Sequence, residues 1–203
     1  MPTYKFCYFN ARGFGEMSRL LFAQAGVEYE DVRYSGEEWP KHKPTMLFGQ
    51  MPVLFVDGEQ IAHSRAAFRY LAREFKLDGG NSLNAAKVDM WTEVLFEAIS
   101  KLPFSEKDET KKAELTAAAF KDHIHPKLTK FEDALKANGG TYLFGNDLSA
   151  IDILMFAVYE MLNSRHPSEK LSEAHPTLKK VVDAIQQQPK IAKWLKERPK
   201  TEF

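Results

Sequence analysis

In the first third of the chain, short apolar runs of strand character alternate with helical ones. "YKFCYF" at 4–9 is a compact apolar and aromatic run; Met17, Leu20 and Leu21 then recur at helical spacing up to a stop at Gly26, and "YEDVRY" at 29–34 reads as a second strand. "PVLFVDGEQIA" at 52–62 sets Asp57-Gly58 between two apolar runs, a pair favoured in two-residue hairpin turns. Phe68, Leu71, Ala72 and Phe75 resume a helical period after Ser64. The order is β-α-β, a loop, then β-β-α.

From residue 83 onward the pattern is helical: Val88, Trp91, Leu95, Ile99 and Leu102, then Leu128, Phe131 and Leu135, then Leu178, Val181, Val182 and Ile185. "SAIDILMFAVYEML" at 149–162 is apolar nearly all round, which predicts the buried central helix of this half. Ser149 and Asp152, three residues apart at its start, form a capping-box pair. "KLDGGNSL" at 76–83 carries Asp78-Gly79-Gly80, a stop followed by a polar restart, and is the natural linker. The pattern predicts an α/β domain over 1–78 and an all-helical domain over 79–203.

Composition narrows the function classes. At 203 residues and 44% apolar content the chain supports a sizeable core. Lys plus Arg equal Asp plus Glu at 28 each and no basic run occurs, which argues against nucleic acid or a membrane surface as partner. No charged leader with a short apolar core and no long apolar span is present, so a cytoplasmic location is expected. The single Cys7 excludes an internal disulfide framework and a cysteine-based zinc site, and reads as a small packed strand residue. In "HIHP" (123–126) the two imidazoles lie two residues apart, on different helix faces, and read as solvated rather than as metal ligands.

Three places carry candidate chemistry. Pro52 enters a strand without a ladder donor, and X-Pro bonds tolerate cis geometry; a cis bond there would turn the Met51 backbone outward to pair with an extended, peptide-like ligand. His63-Ser64 lies at a helix start, where Ser64 is open to two readings, a cap or one wall of a carboxylate or phosphate site. Tyr8, at the end of the first strand, is either a core filler or a hydroxyl donor to a thiolate or oxyanion.

Together these residues resemble the glutathione transferases, and closely the sigma class that includes the haematopoietic-type prostaglandin D synthases. The likeness runs through "YKFCYFNARGFGE", "EEWPKHKPTMLFGQMPVLFVDG", "HSRAAFRYLAREFKLDG", "LSAID" and "IAKWLKERPKTEF", in the family's order and spacing. It implies a thioredoxin-like amino-terminal domain, an all-helical carboxyl-terminal domain and a homodimer, with glutathione as co-substrate. It implies further that Tyr8 hydrogen-bonds the glutathione sulfur; that Met51, before a cis Pro52 and approached through Gly49 and Gln50, pairs with the cysteinyl part; and that Trp39 and Lys43 hold the glycyl end. Ser64, next to His63, then takes the γ-glutamyl carboxylate, and Glu97, with Glu93 on the same helix face, reaches the γ-glutamyl amine across the dimer. Phe9, Phe14 and Phe104 fall at the electrophile pocket.

The chain departs from the family pattern at three positions. His63 replaces a glutamine, which can donate and accept together, so glutathione binding is expected to be weaker or pH-dependent. Phe14 replaces an arginine near the thiolate, and Phe104 a tryptophan typical of the prostaglandin synthases. Phe96 stands where those synthases carry an interface acid that binds a divalent ion, so no metal is expected. The expected activity is transfer of the glutathione thiolate to small hydrophobic electrophiles, with peroxidase or prostaglandin-isomerase side activity. A non-catalytic, crystallin-like role on the same fold is the alternative.

Overall fold

The computed structural model describes residues 2–201. Four strands, β1 (Tyr4–Phe9), β2 (Glu30–Tyr34), β3 (Val53–Val56) and β4 (Glu59–Ala62), form one sheet in the order β2-β1-β3-β4. β1 runs parallel to β2, across the helical crossover α1 (Glu16–Ala25), and antiparallel to β3; β3 and β4 form the hairpin. Its turn places both Asp57 (φ 49°) and Gly58 (φ 90°) in the left-handed region, the two-residue geometry that matches strand twist. Asp57 also accepts from the Thr3 backbone and hydroxyl, at 2.8 and 3.0 Å, which holds its carboxyl below the usual carboxylate range. The short α2 (Trp39–His42) lies between β2 and β3, and α3 (Ser64–Glu74) follows β4. This is a thioredoxin-like α/β unit, and its core includes Phe6, Leu20, Leu21, Phe22, Leu54, Phe68 and Leu71, all fully buried.

The remaining helices are α4 (Ser82–Ile99), α5 (Glu109–Ala119), α6 (His125–Asn138), α7 (Ala150–Arg165), α8 (Leu171–Ala174), α9 (Pro176–Gln186) and α10 (Pro189–Glu197). The chain divides into two compact units, one formed by residues 79–185 and the other by the segment up to Asp78 together with that from Gln186 onward. This differs from a simple break at 78/79 with everything beyond it in one helical domain. The reason is α10, which packs on α1: Lys190 donates to the Ala25 carbonyl at 3.1 Å, and Trp194 and Arg198 both reach Glu16.

α7 is the buried helix of the second unit, with Ile151, Ile153, Met155 and Tyr159 among its covered residues, and it packs on α4. Asp152 reaches back to the Ser149 N–H at 2.9 Å and also accepts from the Leu143 N–H at 2.9 Å, so the capping box ties the preceding loop to the helix as well. Among the described residues no helix is long and apolar enough to cross a membrane.

Candidate functional site

Tyr8 is the last residue but one of β1, an interior strand of the sheet, and is 8% exposed. Two glycines make the room for it. A Cβ at Gly13 would lie 2.9 Å from the phenol oxygen, and one at Gly15 would lie 2.5 Å from a ring carbon. The hydroxyl accepts the Phe14 N–H at 3.3 Å. The result is a fixed phenol at the carboxyl end of a central strand, beside the start of a helix.

Sequence reasoning missed what holds this loop from beneath. Arg19 on α1 is fully buried and donates to the carbonyls of Ala11 (2.6 Å) and Phe9 (3.4 Å), while its Nε bonds Asp31 at 3.0 Å. Asp31 also takes Arg33 at 2.8 Å, and Glu16 takes Trp194 at 2.9 Å and Arg198 at 2.8 Å. The Arg19 guanidinium lies 5.9 Å from the Tyr8 ring centroid. A buried guanidinium with several acceptors is stable only while those acceptors stay in place; losing a partner costs about 3–5 kcal/mol. The signal was present as a charge pair, Glu16 and Arg19, inside the otherwise apolar "EMSRLLFA".

The second arc follows β2. Tyr8, Phe9 and Trp39 form an edge-to-face row at 5.6 and 5.8 Å. The aliphatic stem of Lys43 lies over Gly49 (φ 59°), where a Cβ would stand 3.4 Å from Lys43 Cε. Gln60 of β4 clasps the intervening loop, accepting the Leu47 N–H at 2.8 Å and donating to the Thr45 carbonyl at 3.0 Å. Met51 packs on the cluster of Cys7, Met46, Val53 and Ala62, next to an exposed Gln50. Pro52 is buried, and the Met51–Pro52 bond is cis. Burial pushes the Cys7 thiol up in pKa, consistent with an inert packed residue.

At the start of α3 the structure corrects the reading of Ser64 as a cap. Ser64 is the first helical residue, and His63 takes the cap position at φ 69° and ψ 130° with no side-chain cap hydrogen bond. The exposed His63 ring stacks on Phe48 at 5.6 Å instead. The helix start therefore keeps its dipole and half-buried Ser64 without a capping side chain.

Phe14 is exposed beside Tyr8. In the second unit, Glu97 and Glu93 are exposed on α4; Glu97 meets Lys127 at 2.9 Å, and this hydrogen bond holds its carboxyl below the usual range. Phe96 is half-buried. Phe104 is 52% exposed, with the Arg165 guanidinium 5.9 Å from its ring centroid. Among the described residues no group of three His, Cys, Asp or Glu side chains is placed to hold a metal ion.

The α/β unit thus combines a fixed tyrosine with a cis-proline loop, and a helical unit follows it. The chain matches the models of the glutathione S-transferase N-terminal domain over residues 4–73 and of its C-terminal domain over 94–198; it belongs to the glutathione S-transferases. It is 37% identical to glutathione S-transferase 1 of Ascaris suum, over the whole of both chains, and 36% identical to the hematopoietic prostaglandin D synthase of Gallus gallus, over 99% of each. It is also 36% identical to S-crystallin SL11 of Nototodarus sloanii, over the whole of both chains. Among solved structures, a nematode-specific glutathione S-transferase of Caenorhabditis elegans superposes at TM-score 0.89 with 37% identity, covering both chains fully. A Nu-class enzyme of Haemonchus contortus gives 0.87 at 34%, also covering both fully, and a monomeric glutathione S-transferase of Necator americanus 0.86 at 32%, covering 99% of this chain and 100% of that one. The protein is a glutathione transferase, an enzyme that uses glutathione as co-substrate.

Gly15 has φ −85°, which alanine adopts without strain, so Gly15→Ala isolates the contact with Tyr8. The added methyl forces the ring to shift, and overpacking of this kind costs about 1–3 kcal/mol. Conjugation of a chromogenic electrophile is expected to fall at least about 10-fold, since about 1.4 kcal/mol in a barrier is tenfold in rate. A paired thermal melt should show the folded state retained.

Proposed function

We propose a cytoplasmic, homodimeric glutathione transferase of sigma type, conjugating glutathione to small hydrophobic electrophiles at Tyr8. The observation that carries the role of Tyr8 is its buried phenol, set between Gly13 and Gly15 and accepting the Phe14 N–H. The Tyr8 O–H donates to the glutathione sulfur and favours its anion. A free thiol titrates near 8.5, and a depression of about two units corresponds to about 2.7 kcal/mol, the strength of one good hydrogen bond to a charged group. The thiolate then attacks the electrophilic carbon, and the displaced pair of electrons leaves with the leaving group or is taken up by the adjacent acceptor.

The rest of the tripeptide lies along the arc already described. Lys43 and Trp39 meet the glycyl carboxylate as ammonium and indole donors. The Met51 backbone pairs with the cysteinyl amide groups, with Gly49 and Gln50 as the approach. Ser64 and the positive end of α3 take the γ-glutamyl carboxylate. In the homodimer, Glu97 of the second copy meets the γ-glutamyl amine, exchanging its bond to Lys127. Phe9 and Phe14 supply apolar surface for the electrophile, and Phe104 is the aromatic candidate that the helical unit offers.

Class and substrate rest on finer evidence. Identity to a Nu-class enzyme (34%) and to prostaglandin D synthase structures (33 and 30%) is similar, so the sigma assignment leans on the Tyr8, Trp39, Lys43 and Ser64 motifs. Prostaglandin isomerisation is a second activity to assay because of the full-length likeness to the Gallus gallus enzyme, although Phe104 in place of tryptophan weighs against that lipid.

Tyr8→Phe keeps the ring and removes the O–H. The variant should still be retained on immobilised glutathione while its conjugation rate drops about 10–100-fold, the equivalent of about 1.5–3 kcal/mol. A wild type that turns over no faster than this variant would remove Tyr8 from catalysis. His63→Gln restores a side chain that both donates and accepts. It should lower the KM for glutathione with little change in kcat, and an unchanged KM would show that position 63 does not read the ligand. Light scattering of the purified protein is expected to give twice the chain mass; a single-chain mass would place it with the monomeric Necator americanus relative and remove Glu97 from the site.

A further inference from the structure

The helical unit contains a chain of four titratable side chains that the transferase reaction does not use. His125, the first residue of α6, puts Nδ1 2.8 Å from His175 Nε2 and Nε2 3.4 Å from Glu169 Oε2. His175, between α8 and α9, puts its Nδ1 3.2 Å from Glu132 Oε2. Glu132, on α6, uses its other oxygen to accept the N–H groups of Thr177 and Leu178 at 2.7 and 2.9 Å, and so caps the start of α9. The line runs from half-buried Glu169 and His125 to His175, 2% exposed, and Glu132. It corrects the reading of "HIHP" as a solvated pair: the ring of His125 stacks on His175 and packs on Phe120, because a π-helical turn over Phe120–Ile124 precedes it.

Counting protons decides what this chain binds. Three contacts need three N–H donors, but two neutral imidazoles supply only two. Glu132 requires a proton on His175 Nδ1. With both rings neutral, His175 Nε2 must then accept from His125 Nδ1–H, and the bare His125 Nε2 faces the Glu169 carboxylate, lone pair against lone pair. With both rings charged, the two N–H groups of the central contact face each other. Only one added proton makes every contact a donor meeting an acceptor.

We propose that His125 and His175 form a binding site for a single proton, held between Glu169 and Glu132, which latches α6 to the segment carrying α8 and α9. The proton resides on His125. Burial disfavours the charged form of His175, pushing its pKa below the usual histidine value of 6.5, with the neighbouring His125 and Lys136 acting in the same direction against the pull of Glu132. The sign follows: a depressed histidine is protonated more readily when unfolded, so its contribution to stability is present above about pH 6.5 and is lost as pH falls below it. The second proton opens the latch in acid. Of the other groups around the chain, His166 packs edge-on to Phe120, and its pKa is pushed below the usual histidine value chiefly by burial, with Glu169 opposing and Arg165 and Lys112 reinforcing. Lys179 is engaged by Asp183 at 2.6 Å, and Lys170 by Glu173 at 3.6 Å.

The test is long-range proton–nitrogen NMR of the imidazole rings in the full-length 15N-labelled protein between pH 5 and 8. His175 is expected in the Nδ1–H form at neutral pH, with the first proton taken up by His125 and the second, at lower pH, by His175. Glu169→Gln supplies an amide donor to neutral His125 Nε2, so the added proton is no longer required and the first step should move to lower pH. Nε2–H as the neutral tautomer of His175, or a first step that Glu169→Gln leaves unmoved, would overturn the proposal. Should that variant not fold, the wild-type tautomer and the order of the two steps decide the matter.

Discussion

The amino-terminal unit is organised around the buried guanidinium of Arg19. Its donors reach the last carbonyl of β1, one carbonyl of the loop after it and a carboxylate of β2, and Glu16, one turn away on the same helix, gathers Trp194 and Arg198 from late in the chain. Three guanidinium groups, those of Arg19, Arg33 and Arg198, share two carboxylates. None of these contacts is worth much alone in water, but together, and withdrawn from it, they leave no member able to move without stranding another. This explains why the unit is discontinuous in sequence: the ion cluster that fixes the loop before α1 is completed by residues nearly 180 positions later.

The setting of Tyr8 is built on that cluster. Arg19 fixes the carbonyls of Phe9 and Ala11, the loop turns back over the phenol, and the Phe14 N–H arrives at the Tyr8 oxygen. Gly13 and Gly15 are required by close approach to the ring, and Gly13 also by its φ of 37°. The departure at position 14 is then mild in one respect. The element the phenol uses there is a backbone N–H, which any residue except proline supplies, so Phe14 removes a positive charge without removing the hydrogen bond. Positive potential beneath the ring is still provided by Arg19.

Much of the fold was legible because it rests on local rules. Asp57-Gly58 gave the hairpin through the turn it favours, Ser149 and Asp152 gave a helix start through reciprocal capping, and the nearly all-round apolar surface of 150–162 gave its burial. At the candidate site, the cis bond before Pro52 was legible in the proline that enters β3 without a ladder donor. What stayed hidden has one physical origin: periodicity reports which face of a helix is covered, and not what covers it. The face of α10 gave no sign of α1, and the charge of Arg19 gave no sign of carbonyls in the preceding loop. His125 was misplaced because i, i+2 spacing describes its relation to His123, whereas its partner, His175, lies 50 residues away.

His63 shows how far such a departure can be contained. A residue with a Cβ at φ 69° carries a backbone cost of roughly 1–3 kcal/mol, and a structure retains it only where the surroundings demand it. Here the chain must leave β4 and enter α3 within one residue, and His63 holds that corner, its carbonyl accepting the Ala67 N–H as the first helical bond. That demand falls on the backbone and is indifferent to the side chain. The histidine therefore preserves the turned corner and the uncapped helix start, which supply the dipole and the Ser64 hydroxyl, and alters only the donors and acceptors that the side chain itself presents. In the site proposed above, the substitution bears on the γ-glutamyl end and leaves untouched Tyr8, which stands on β1.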